Sequence, residues 1–168
     1  MDAMPAFRFI LMVCLLCALS VASVIRSFIY RDGATLWEDA AEKSPQKARP
    51  HNNLGHELKN TWKLDEAARS FEQALALNPD YPDALNNLAT IYKGTERRQE
   101  ALALLRRSLD LNPNHLQAKH NLALQYYEMG MRDDAIREYN DIMRLSPFSK
   151  EAAFAGQMLL MMQNNAMK

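Results

Sequence analysis

Glycine is scarce in this 168-residue chain, with five in all, and cysteine is scarcer still, with two. No glycine-rich motif of the kind that cradles a phosphate appears. Cys14 and Cys17 lie inside an apolar run, with no histidine directly after them and no second pair. Their spacing therefore reads neither as haem attachment nor as a zinc site, and a disulfide framework is excluded. Charge of one sign is also missing. Twenty Lys and Arg face twenty Asp and Glu, so no net field exists to attract nucleic acid. The four histidines fall as His51/His56 and His115/His120, five apart, which is poor spacing for two metal ligands on one helical face. No Ser/His/Asp arrangement stands out. The acidic pairs Asp65-Glu66 and Asp133-Asp134 suit helix N-terminal ends, where they complement the dipole. The expectation is a protein that is not an enzyme, with no cofactor, no metal, no nucleic acid and no small-molecule substrate.

What is present is a period. Pro45, Pro79, Pro113 and Pro147 are spaced at intervals of 34 residues. Other columns keep step: Leu54, Leu88, Leu122; Gly55, Ala89, Ala123; Leu58, Tyr92, Tyr126; Ala67, Ala101, Ala135; Phe71, Leu105, Tyr139; and Ala74, Ser108, Ile142. Within a unit the apolar residues recur at helical spacing, as in Leu64, Ala67, Ala68, Phe71, Ala74 and Leu75. Each unit breaks near its middle, at Asn60, Gly94 and Gly130, and again at the proline. This predicts two helices per unit, stacked into an all-α solenoid. Small residues in one column admit close helix approach, while large ones fill the space between pairs. The proline ends the second helix because it lacks an N–H and disfavours helix in the residue before it. Asn78 and Asn112 precede it, where a left-handed cap is tolerated. Pro50 and Pro82 fall in the opening turn of the next helix.

Leu54-Gly55, Leu58, Ala67, Phe71, Ala74 and Pro79, with their counterparts 34 and 68 residues later, resemble the tetratricopeptide repeat (TPR) family. The resemblance implies three full repeats over 48–81, 82–115 and 116–149. Residues 31–47 would supply a linker and half-repeat helix, with Trp37 and Ala40 in the Phe71 and Ala74 columns. Residues 150–168 would form a closing helix and tail. The pattern departs from the family where an early tryptophan is usual (His51, Leu85, Lys119). It departs again where a turn glycine is usual: Gly130 keeps it, but Trp62 and Glu96 do not. Arg97-Arg98 and Arg106-Arg107 read as a solvated outer face.

Residues 1–30 are set apart by composition. From Phe9 to Ile25 there is no charge, and Arg8 and Arg26 bracket the run. Seventeen residues at 1.5 Å each cover roughly 26 Å, slightly short of a ~30 Å hydrocarbon core. Snorkelling arginines and Phe28, Ile29 and Tyr30 supply the difference. The expectation is a single membrane-spanning anchor over residues 7–30, with the repeats outside the cytoplasm, periplasmic or lumenal; Arg8 on one flank and Arg26 and Arg31 on the other leave the cytoplasmic orientation as the alternative. A cleaved signal peptide ending at Ser20-Val21-Ala22 is the competing reading. The junction at about 35–55 resembles TPR tails of multi-pass, glycosyltransferase-like membrane proteins; it implies shared ancestry of that tail and no enzymatic activity.

In the TPR family the first helix of each pair lines a concave groove, and this places the candidate site. Asn53, Asn87 and Asn121 form one regular polar column, similar to the asparagine ladder in the repeat superhelix of O-linked N-acetylglucosamine transferase. An amide that both donates and accepts suits a peptide backbone; bonding between neighbouring helices is the structural alternative. Asn52, His56, Asn86, Lys93, His120 and Tyr127 complete the expected groove, and Trp62 marks a further contact. The basic members of a carboxylate clamp are missing from Asn52, His56, Asn87, Gln117 and Asn121, so that mode is not expected. The expected function is a membrane-anchored scaffold that binds a protein or extended peptide. The alternatives are a structural subunit of a membrane complex, working through the convex face or closing helix, and an accessory chain to a membrane glycosyltransferase.

Overall fold

The computed structural model describes residues 4–29 and 33–166, with the side chains of Phe9, residues 11–25 and residues 33–164. Nine helices occur among the described residues: α1 (Met4–Ile29), α2 (Gly33–Lys43), α3 (Ala48–Asn60), α4 (Leu64–Leu77), α5 (Pro82–Tyr92), α6 (Arg98–Leu111), α7 (Leu116–Glu128), α8 (Arg132–Leu145) and α9 (Lys150–Ala166). α3/α4, α5/α6 and α7/α8 are tightly packed pairs. α2 packs on α3, and α4, α6 and α8 each pack on the helix that follows. The first helices also meet one another: α3 touches α5, α5 touches α7 and α7 touches α9. No comparable contact joins α4 to α6 or α6 to α8 among the described residues. The first helices therefore lie on the inside of the curve, and α9 continues their row.

The columns of the sequence become the core. Ala67, Phe71, Ala101, Leu105, Ala135 and Tyr139 are fully or almost fully buried. Gly55 packs directly on Phe71: a Cβ built there would lie 2.7 Å from the ring. Ala89 and Ala123 take that place in the next two repeats, where Leu105 and Tyr139 replace the phenylalanine. Buried polar groups are tied to neighbouring helices. Ser108 Oγ donates to the Pro82 carbonyl at 2.9 Å, and Gln125 Nε2 donates to the Arg98 carbonyl at 2.5 Å.

Helix ends follow local chemistry. α2, α4, α6 and α8 each end two residues before a proline of the 34-residue series. Asn78 and Asn112, however, are not left-handed. Their φ values are −139° and −138°, the extended backbone that a following proline imposes. Their side chains serve the turn instead: Asn78 Oδ1 accepts from Asp80 N, and Asn112 Oδ1 from Asn114 N, each at 3.3 Å. The basic pairs are not a merely solvated face either. Arg97 stacks 3.6 Å above the Tyr92 ring and is bound by Glu100, Arg106 bonds the Tyr126 hydroxyl, and Arg107 bonds Asp80.

α1 stands apart. It makes no extensive contact with another helix among the described residues, and its described side chains from Phe9 to Ile25 are exposed. Among the described residues no helix is long and apolar enough to cross a membrane. In α1 those side chains are Phe9 and residues 11–25, fewer than the roughly 20 apolar residues a span takes. The side chains of Arg8, Arg26, Phe28, Ile29 and Tyr30, on which the expected span over 7–30 also draws, lie outside the described residues. Cys14 and Cys17 are free and exposed.

Candidate functional site

The inner face is built from α3, α5, α7 and α9, and it carries the asparagines. Their position next to the row of close-packed small residues places them where one repeat meets the next. Asn87 Nδ2 donates to Asn52 Oδ1 at 3.2 Å, and one repeat later Asn121 Nδ2 donates to Asn86 Oδ1 at 2.8 Å. Asn121 Nδ2 also reaches Thr90 Oγ1 at 3.4 Å. Asn52 and Asn86 are buried, whereas Asn53, Asn87 and Asn121 are half-buried. The two columns thus form rungs: the outer amide of one repeat closes the inner amide of the repeat before it.

The rungs use only half of each outer asparagine. Among the described residues the Oδ1 atoms of Asn87 and Asn121 have no protein partner. They remain acceptors one repeat apart. Asn53 stands in the first of the three helix pairs, and among the described residues no earlier first helix bonds it. Its Oδ1 accepts from the adjacent Asn52 Nδ2 at 3.3 Å.

At the far end the rung is missing. The inner column continues with His120, but the position that would send it a donor holds Ala155. Among the described residues His120 Nδ1 is buried and has no hydrogen-bond partner. Its ring meets Phe154 edge-on, with centroids 4.7 Å apart. Burial is the largest influence on His120 and holds its pKa below the ordinary 6.5; Lys93 and Lys150 act in the same sense and Glu151 opposes them. The imidazole is therefore neutral near pH 7. Gln117, His120, Lys150, Glu151 and Phe154 line a cavity of about 260 Å³ here, between α7 and α9.

The other expected residues are scattered. His56 is exposed and bonds Asn60 at 3.3 Å. Lys93 is bound to Glu128 at 2.8 Å, which ties the end of α5 to the end of α7. Tyr127 is half-buried against the core. Trp62 is 84% exposed. It takes φ of +62° at a turn where Gly130 takes +77°. With Lys59, Asn60, Leu64, Thr90, Ile91 and Gly94 it borders a largely apolar cavity of about 420 Å³. Glu151 was not legible as a site residue from its own position. The signal lay in the column pattern, where histidine replaces asparagine at 120 and alanine replaces asparagine at 155.

Two family models match the chain. A TPR-repeat model matches residues 63–95, and a tetratricopeptide-repeat model matches residues 94–155. No curated protein matches the sequence. Among solved structures, two of MamA are similar, each at 22% identity and TM-score 0.60; they cover 66% and 68% of this chain. The chain spans 65% and 62% of the length of those structures. The first TPR domain of Spaghetti (RPAP3), bound to an HSP90 peptide, is similar at 20% identity and TM-score 0.66, over 73% of this chain and 95% of that one. At these identities the likeness is one of fold. Neither family match reaches the junction at 35–55, so the resemblance to glycosyltransferase-like tails gains no support. Residues 63–155 are tetratricopeptide repeats.

Proposed function

We propose that the chain is a scaffold whose inner face binds an extended segment of a partner protein. The observation that carries this is the pair of open acceptors, Asn87 Oδ1 and Asn121 Oδ1, one repeat apart on the inner face. A carbonyl oxygen held in place by its own amide nitrogen is preorganised to accept a backbone N–H. Because both act as acceptors, they select an extended backbone with little regard to side chains. The similar Spaghetti domain is bound to a peptide, which supports this use of the fold. A carboxylate clamp remains outside the proposal, since Asn52 and His56 offer no cation in the positions that would need one.

Two paired variants test the reading. Asn87→Ala with Asn121→Ala removes donors and open acceptors together. Asn52→Ala with Asn86→Ala removes the rungs but leaves the open acceptors. Both pairs should lower the melting temperature, the first more, because it strands the buried Asn52 and Asn86 oxygens at about 1–3 kcal/mol each. Peptide affinity, measured by fluorescence polarisation on a library of extended peptides, should fall about tenfold for the first pair and clearly less for the second, which loses the preorganisation but keeps the acceptors. Equal affinity in both would confine the asparagines to holding the repeats together.

We propose further that the scaffold sits at a membrane through residues 7–30, with its repeats outside the cytoplasm. What supports it is the uncharged run from Phe9 to Ile25 and the exposure of its described side chains, an apolar surface that water alone does not suit. Alkaline carbonate extraction of membranes holding the full chain tests this; release into the supernatant, or a mature N-terminus at Ser23, overturns it. A second reading, a structural subunit of a larger complex, is favoured by the outer side of α9, where Leu160 and Met161 are exposed although Ala152, Ala155 and Met162 are buried. A stoichiometric partner retained by a chain carrying Leu160→Glu would argue against it.

A further inference from the structure

We infer that the cavity between α7 and α9 is a binding site for a hydrogen-bond-donating cation, the guanidinium or ammonium group of a basic side chain on the partner. This deepens the reading of the inner face as a receptor for a protein segment and rests on it for the source of the ligand.

The site is what remains when the asparagine rungs run out. Asn52 and Asn86 each receive a donor from the next repeat. His120 occupies the same column and receives none, because Ala155 stands where the third donor would be. A buried acceptor without a donor costs free energy and calls for one from outside the chain. The imidazole is held neutral by burial, so Nδ1 offers a lone pair when the proton is on Nε2.

The second group is Glu151. Its side chain is only 13% exposed, yet among the described residues its one cationic contact is Lys150 Nζ at 3.7 Å, beyond hydrogen-bond reach. Lys150 itself is 87% exposed and free to swing into solvent. The cavity is thus lined by a mostly buried carboxylate and a neutral imidazole, both acceptors, by the Gln117 amide and, at its exposed edge, by the Lys150 side chain, which a bound cation would displace toward solvent. The Phe154 ring, partly exposed at 37%, forms the remaining wall and offers a face to a cation. Nδ1 itself is buried beside that ring, so a bound donor must displace the ring to reach it. A volume of about 260 Å³ is ample for one side-chain head group. An anion would face the Glu151 carboxylate, while Lys150 extends into solvent and Lys93 is already bound to Glu128.

The test uses the full chain in detergent micelles, followed by NMR of the His120 ring and the Glu151 carboxyl group. The probes are n-propylguanidinium chloride, n-propylammonium chloride and sodium propionate. The expected result is a saturable shift of both groups with at least one cation and none with propionate; which cation binds more tightly separates arginine from lysine as the source. Glu151→Gln should weaken the cation about tenfold or more, the loss of one charge-assisted contact. Lys150→Ala should bind at least as tightly as the parent and guards against a folding defect in the first variant. Propionate binding as well as either cation, or a non-saturable response to all three probes, overturns the inference. If extended peptides bind through Asn87 and Asn121 while no cation shifts His120, this inference fails alone; if a cation binds saturably and no peptide does, the groove reading fails alone.

Discussion

Replacing Trp62 by glycine should stabilise the protein, against the usual direction for losing a tryptophan. Trp62 lies between α3 and α4 with φ at +62°, the left-handed region. For a residue with a Cβ that conformation costs roughly 1–2 kcal/mol. Glycine removes the cost but adds about 0.5–1 kcal/mol of unfolded-state entropy. Little burial is lost, because the indole is 84% exposed. The net gain is about 0.5–1 kcal/mol, and for a chain of this size each kcal/mol is worth about 2–4 °C in melting temperature. Thermal melts by far-ultraviolet circular dichroism, on the full chain in detergent, should therefore rise by about 1–4 °C. Trp62→Ala keeps the strained backbone and should stay within about 0.5 kcal/mol of the parent. A Trp62→Gly variant less stable than the parent by more than about 1 kcal/mol would refute the reasoning, and would mean that the indole holds the turn through its cavity with Leu64 and Ile91. A stabilised variant that binds partner peptide less well would instead mark Trp62 as a contact retained at the expense of stability.

Three further outcomes are expected. Gly55→Ala should cost about 1–3 kcal/mol in chemical denaturation, since the new methyl group would stand 2.7 Å from the buried Phe71 ring; coupling it to Phe71→Leu, the residue type of the next repeat, should recover most of the loss. Ala101→Trp, at a position with no exposure, should cost about 1–3 kcal/mol or more, while the exposed Gln73→Ala should stay within about 0.5 kcal/mol; equal melts would contradict the helix register. His120 has a pKa held below 6.5 in the folded chain, so the unfolded chain takes up that proton first. Stability should therefore fall as pH drops through about 6.5 toward the folded value, and His120→Asn should flatten that part of the profile when denaturation midpoints are compared from about pH 7 to about pH 5.

The local order of this protein was legible from its sequence. Helix breaks at Asn60 and Gly130, the prolines that follow α2, α4, α6 and α8, and the buried columns through Ala67 and Phe71 all express short-range rules: periodicity of 3.6, the missing N–H of proline, and one repeat imposing its neighbour's environment on the next. Tertiary structure decided what those rules do not reach. That Asn87 closes Asn52, and Asn121 closes Asn86, is a contact across 35 residues, made where two helices happen to present one amide to another. Sequence spacing puts the asparagines in a column, but only packing determines which half of each amide is consumed and which stays open. Trp62 is left-handed because the turn geometry is imposed by the two helices it joins, and so overrides the preference of the residue placed there. His120 was one more polar residue in the sequence. Its missing donor exists only because α9 packs beside α7 and brings Ala155, which has nothing to donate, to the place where the array had twice before supplied an asparagine.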